Sequence, residues 1–174
     1  GLLGAHRRGP LVLDPVLASG RGDALASSAT VQILLGRLLP LTTVLTPNSV
    51  EARKLAGAGA SASLDECAGR LIARGAAHVL ITGTHETGDG VVNTLYGPDG
   101  MRQAQSWPRL AGSYHGSGCT LASAIAAYLA LGRPVPDAVL AAQEYTWRAL
   151  QAGFQPASGQ FLPVRFHSAH ETAT

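Results

Sequence analysis

Thr43-Val44-Leu45-Thr46-Pro47-Asn48-Ser49-Val50-Glu51-Ala52 is the stretch from which the fold can be read. Four residues of β-favouring, apolar character stop at Pro47, which has no N–H to continue a ladder. Asn48 then stands where a helix N-cap belongs. Glu51 follows three positions later, and Ala52, Leu55 and Ala56 supply the apolar side of a helix. A strand that runs straight into a capped helix is one half of a parallel α/β unit.

Working outward, the same unit recurs. Upstream, Leu11-Val12-Leu13 is a short buried strand that ends in Asp14-Pro15. After the loop Ser19-Gly20-Arg21-Gly22-Asp23, a helix capped by Asp23 is expected, with Leu25, Ala29, Ile33 and Leu34 on its apolar side and Pro40 at its end. Downstream, Asp65 to Arg74 reads as an amphipathic helix closed by Gly75, and His78 to Thr82 as a third strand. Gly90 to Tyr96 and Met101 to Trp107 flank Gly97-Pro98-Asp99-Gly100, the pattern of an antiparallel hairpin at a sheet edge. Two helices follow, Cys119 to Leu131 and Pro136 to Ala152. The expectation is one domain over residues 1–174: a three-layer α/β fold, mostly parallel, with an antiparallel edge hairpin and a loosely ordered tail over 154–174.

Composition excludes several classes. The chain has 174 residues, 46% hydrophobic and 14% charged, enough apolar content for a sizeable core. A formal charge of +2 and the lack of a basic run give no footprint for nucleic acid. No apolar stretch approaches the roughly 18 residues of a membrane span. Cys67 and Cys119 are the only cysteines, too few for a disulfide scaffold, and a reducing, cytoplasmic setting is expected.

The chemistry gathers at the predicted strand ends, where open α/β sheets bind ligands. His115-Gly116-Ser117-Gly118-Cys119-Thr120 precedes a long helix. Glycines there let several amides point at one place, and with the helix dipole they make an anion site suited to phosphate. Cys119 falls in the first turn, a position that makes a cysteine reactive. The same spacing also fits a plain loop with Cys119 as a small buried hydrophobe. Asn48 and Glu51 fit a capping box, and equally an amide and a carboxylate that hold a hydrated Mg²⁺. Asp14 is a strand-end acid or a turn residue. Thr82 and Gly83, with Thr84 and His85, are a phosphate contact or a simple turn. His85 and His115 have no partner at metal-ligand spacing, and Cys67 is read as packing.

The residues Val12-Leu13-Asp14-Pro15-Val16, Leu45-Thr46-Pro47-Asn48-x-x-Glu51-Ala52, Val79-Leu80-Ile81-x-Gly83-x-His85 and His115-Gly116-Ser117-Gly118-Cys119-Thr120-Leu121, in this order, resemble the hydroxymethylpyrimidine/phosphomethylpyrimidine kinases of the ribokinase-like superfamily. The resemblance covers roughly Leu11 to Leu150. It implies ATP-dependent phosphorylation of a hydroxymethylpyrimidine and of its monophosphate, in thiamine biosynthesis, with ATP and Mg²⁺ as cofactors. Gly116, Ser117 and Gly118 would form the anion hole and Cys119 the base beside the substrate hydroxymethyl. Asn48 and Glu51 would serve Mg²⁺ and phosphate, Thr82 and Gly83 the nucleotide. Val16 and Asp14 would line the pyrimidine site, and the helix from Pro136 would stand beside the adenine. The chain departs from the pattern at Thr82, where the family usually has Lys, and at Asn93, where it usually has Asp. It is also shorter than its likenesses on the N-terminal side. That leads to the expectation of an uncovered sheet edge and hence a homodimer. A binding module without turnover and a pyridoxal-type kinase are the alternative readings.

Overall fold

The computed structural model describes residues 9–18 and 25–166. Its sheet has five strands in the order β1 (Val12–Leu13), β2 (Val44–Leu45), β3 (Val79–Ile81), β4 (Gly90–Tyr96), β5 (Arg102–Pro108). β1, β2 and β3 are parallel, with Val12 opposite Val44 and Leu45 opposite Val79. β4 runs antiparallel to β3 and forms the hairpin with β5, which is the outer strand on that side. The three strands and the edge hairpin therefore stand as expected, each parallel strand a residue or two shorter than its sequence pattern.

Consecutive residues of these strands face opposite layers, which makes the period of two visible in the core. Val44, Leu80 and Leu95 pack with Leu121, Ile125, Val139 and Ala142 of the helices α4 (Ser117–Ala130) and α5 (Val135–Gln151). Leu45, Val79, Ile81 and Tyr96 pack on the other face with Val31, Leu39, Leu55 and Leu71. That layer holds α1 (Ser28–Ile33), α2 (Ser49–Ala56) and α3 (Leu64–Ala73). Helices cover both faces, so the short strands read as apolar runs rather than alternating stripes. The molecule is a three-layer α/β fold. No helix among the described residues is long and apolar enough to cross a membrane.

Three local expectations change. The N-cap of α1 is Ser27, whose Oγ accepts the Thr30 N–H at 3.1 Å, while Asp23 lies outside the described residues. Leu25 and Ile33 are about 60% exposed and Ala29 is exposed too, whereas Leu34 is buried as expected and Val31 and Leu39 join it in the core. Beyond Ile33 the helix widens into a π turn at Leu34–Leu38 and closes as a 3-10 turn at Leu39–Leu41 around Pro40, which brings Leu34 and Leu39, five residues apart, into the same core. Residues 154–166, read as part of a loosely ordered tail, are paired. Phe154 and Leu162 exchange backbone hydrogen bonds at 3.1 and 2.8 Å, Phe161 bridges to Ser113 and His115, and Val164 N–H donates to Ala149 O at 2.9 Å. The Phe161 ring packs on Tyr114, 5.4 Å between centroids. This pairing is long-range, so the local Pro and Gly content gave no sign of it.

Candidate active site

Because β1, β2 and β3 are parallel, their carboxyl ends open on one side of the sheet, and the N-terminus of α4 meets them there. Asp14 leaves β1 and reaches the first turn of α4: a Cβ placed on Gly118 would lie 3.4 Å from Asp14 Oδ2. Glu51 comes in from α2 and is 8% exposed. Its Oε2 accepts the Asn48 N–H at 3.1 Å, and Asn48 Oδ1 accepts the Glu51 N–H at 2.9 Å, so the capping box is formed. Its Oε1 accepts the Leu17 N–H at 2.8 Å, which ties the segment after β1 to α2. Burial, and then the nearby Glu51 charge, push the Asp14 carboxyl up to about 6. Two acids thus share one end of the cleft.

The opposite wall is the N-terminus of α4. Gly116 is the N-cap in the left-handed region, φ 82°, and no side chain caps the helix. The first amides of α4, which have no partner within the helix, therefore face the cleft with the positive end of the dipole behind them. Cys119 stands in this first turn, exposed and unpaired with another cysteine, whereas Cys67 is buried and burial pushes its thiol up.

Thr82 and Gly83 contribute differently. Thr82 continues the sheet past β3: its N–H donates to Pro47 O at 3.0 Å and its carbonyl accepts the Ser49 N–H at 3.1 Å. Gly83 is required by space, since a Cβ there would stand 2.3 Å from Val92 O. Its N–H donates to Asn93 Oδ1 at 3.1 Å, and Asn93 Nδ2 donates to Gln143 Oε1 at 3.0 Å. Gly83 therefore shapes the strand end, and its amide already has a partner. Asn93 is the pin that joins this strand end to α5. Val16 is 45% exposed at φ 43°, a strained backbone for a β-branched residue. The Leu17 to Glu51 bond holds it there, beside the acids.

The structure thus brings together Asp14, Glu51, Asn48, Gly116, Ser117, Gly118 and Cys119, with Val16 on the rim and Thr82 and Gly83 one strand away. No group of three His, Cys, Asp or Glu among the described residues can enclose a metal. Two converging carboxylates fit instead a hydrated ion that keeps most of its own waters, which is the habit of Mg²⁺. Sequence reasoning missed two cations. Arg109 donates to four carbonyls of the loop after β3, those of Thr84, Glu86, Gly88 and Gly90, at 2.9 to 3.3 Å. Arg165 reaches the first turn of α4, where its Nε donates to Thr120 Oγ1 at 3.1 Å. Neither lies in a motif. A cavity of about 300 Å³ lies elsewhere, between α3 and the hairpin; it includes Gly83, Asp65, Tyr96 and Arg102 but no helix N-terminus open to an anion.

A three-layer sheet whose parallel strand ends carry paired acids opposite an uncapped Gly-Ser-Gly helix start is an arrangement suited to holding a phosphate. The phosphomethylpyrimidine kinase family model matches residues 2–165, and the chain belongs to that family. It is 42% identical over 161 residues to the hydroxymethylpyrimidine/phosphomethylpyrimidine kinase of Streptomyces coelicolor, covering 89% of this chain and 58% of that protein. Among solved structures, the pyridoxal kinase from Staphylococcus aureus in complex with ADP superposes with a TM-score of 0.85 at 27% identity, over 94% of this chain and 61% of that one. The phosphomethylpyrimidine kinase from Clostridium difficile superposes with a TM-score of 0.69 at 31% identity, over 83% and 58%. The chain spans about three fifths of the length of these relatives.

Proposed function

We propose that this chain carries the phosphoryl-transfer site of a kinase that moves the terminal phosphate of ATP to the hydroxymethyl oxygen of a pyrimidine, and then to the monophosphate so formed. The observation that supports it is the convergence of Asp14 and Glu51 with the uncapped first turn of α4. Phosphoryl transfer asks for positioning and charge stabilisation more than for covalent chemistry. The amides of Ser117, Gly118 and Cys119 hold the oxygens of the phosphoryl group as it passes from the ADP oxygen to the acceptor oxygen. The O–P bond to ADP breaks, the new O–P bond forms, and the proton of the hydroxyl goes to the Cys119 thiolate, which becomes the thiol. Asp14 and Glu51 would hold Mg²⁺, each Glu51 oxygen having a lone pair beyond the amide it already accepts. When bound, that ion neutralises phosphate charge. Val16 and Asp14 contact the pyrimidine, and Thr82 lies toward the nucleotide.

The test is an ADP-release assay on the purified chain with Mg·ATP and, in parallel, 4-amino-5-hydroxymethyl-2-methylpyrimidine, its monophosphate and pyridoxal. Turnover of both pyrimidines, lost without Mg²⁺, is expected. Preference for pyridoxal would support the pyridoxal-type reading, which the similarity to the Staphylococcus aureus enzyme favours. Binding of Mg·ADP with no turnover of any acceptor would make the chain a binding module.

A further inference from the structure

The charge at the start of α4 is unusual on one side. The segment after α5 returns across the helix and places the Arg165 guanidinium on its first turn. Arg165 Nε donates to Thr120 Oγ1, which itself donates to Gly116 O at 2.7 Å. The guanidinium lies so close that a Cβ on Gly116 would be 2.9 Å from Nη2. Its backbone is held as well: the Tyr145 hydroxyl donates to the Arg165 carbonyl, and the neighbouring Val164 N–H donates to Ala149 O. None of the four ion pairs among the described residues includes Arg165.

A cation fixed against the N-terminus of a 14-residue helix stands at the wrong end of the dipole, where anions are favoured and cations repelled. Asp14 comes to the same turn at Gly118, but none of the ion pairs among the described residues ties it to Arg165. An arrangement that concentrates positive charge from amides and a guanidinium, with two carboxylates further along the cleft, matches an oligophosphate with its metal. The cation pairs with phosphate oxygens and the acids face the ion. Arg53 and Arg109 are not alternatives, because Arg53 forms a bidentate pair with Glu86 and Arg109 is committed to loop carbonyls. Lys54 sits on the exposed side of α2.

We propose that Arg165 is a phosphate-binding residue of the nucleotide site, its terminal nitrogens donating to oxygens of the nucleotide phosphates at the first turn of α4. This rests on the phosphoryl-transfer reading above. Guanidinium is suited to the role because its fork matches phosphate geometry and its charge is permanent.

The experiment is calorimetric titration of Mg·ADP and of adenosine into the full chain and its Arg165→Ala and Arg165→Lys variants, with thermal melting of each without ligand. Removing a charge-assisted contact should weaken Mg·ADP by about 10- to 100-fold. Arg165→Lys should recover part of that loss. Adenosine affinity should not change, and the ligand-free melting temperature of Arg165→Ala should not fall, since a repelled cation has been removed. Equal Mg·ADP affinity in parent and Arg165→Ala overturns the proposal while leaving the kinase reading intact. An equal loss for ADP and adenosine, or a clear drop in melting temperature, assigns Arg165 to structure alone and also overturns it. A parent chain that binds neither ligand removes the nucleotide site itself and both readings with it.

Discussion

Asp14 is a carboxyl group that the fold makes hard to ionise, and this has a consequence for stability. Its ordinary value is near 4, and in the folded chain burial and Glu51 push it to about 6. Between those values the folded chain holds a proton that the unfolded chain has lost. Stability contributed by the protonated form is full below about pH 4 and is lost as pH rises through about 6. Asp14→Asn cannot ionise, so without divalent metal it should match the parent at pH 4 and exceed it at pH 7.5. For a partly buried group the difference should be about 1–2 kcal/mol. Urea denaturation at the two pH values measures this, and a pH-independent difference would contradict it. Cys119 is the other residue with a specific expectation. If it accepts the hydroxyl proton, Cys119→Ala should lower turnover by about 10²- to 10⁴-fold while Mg·ADP affinity in titration is kept. A variant with unchanged turnover would take the base role from Cys119.

At the scale of elements, the link between β1 and α2 is carried by one side chain. Glu51 accepts the N–H of Asn48 with one oxygen and that of Leu17 with the other. From sequence alone Gln at 51 looks harmless, because Gln also serves in a capping box. The structure alters that expectation: Gln offers one acceptor, and its amide nitrogen would confront the second N–H. Glu51→Gln should therefore destabilise the chain by about 1–3 kcal/mol in denaturant melts, in addition to weakening Mg·nucleotide binding. A variant as stable as the parent would mean that the Leu17 contact is not held in solution. This element also shows what local sequence can and cannot disclose. The strand-Pro-Asn-x-x-Glu pattern predicts the capped helix correctly because every partner lies within four residues. The Leu17 contact is 34 residues away and the Arg165 contact with Thr120 is 45 away, so no spacing announces them. Ser27 caps α1 because its Oγ reaches the Thr30 N–H, and Leu39 joins Leu34 in one core, five residues on, because the widened turn before Pro40 departs from the regular helical period.

For the whole molecule, the parallel order and the edge hairpin were legible because buried parallel strands and a Pro-Asp-Gly turn are strong local signals. The return of residues 154–166 across α4 was not, although it sets one wall of the site. β1 is the outermost strand on its side among the described residues. We propose that a second copy of the 174-residue chain pairs along β1, whose outer side no described strand occupies. Light scattering coupled to size exclusion should report a dimer of the 174-residue chain, and a stable monomer would contradict that.

In the proposed site, Asp14, Glu51 and the first turn of α4 enclose a bound phosphate, with Cys119 beside it. The most direct measurement is the alkylation rate of each cysteine, read by peptide mass spectrometry with and without Mg·ATP. Exposed Cys119 should react faster than buried Cys67, and Mg·ATP should slow Cys119 alone. If Cys119 reacts no faster than Cys67, or at the same rate with and without Mg·ATP, the phosphate site is not at the start of α4.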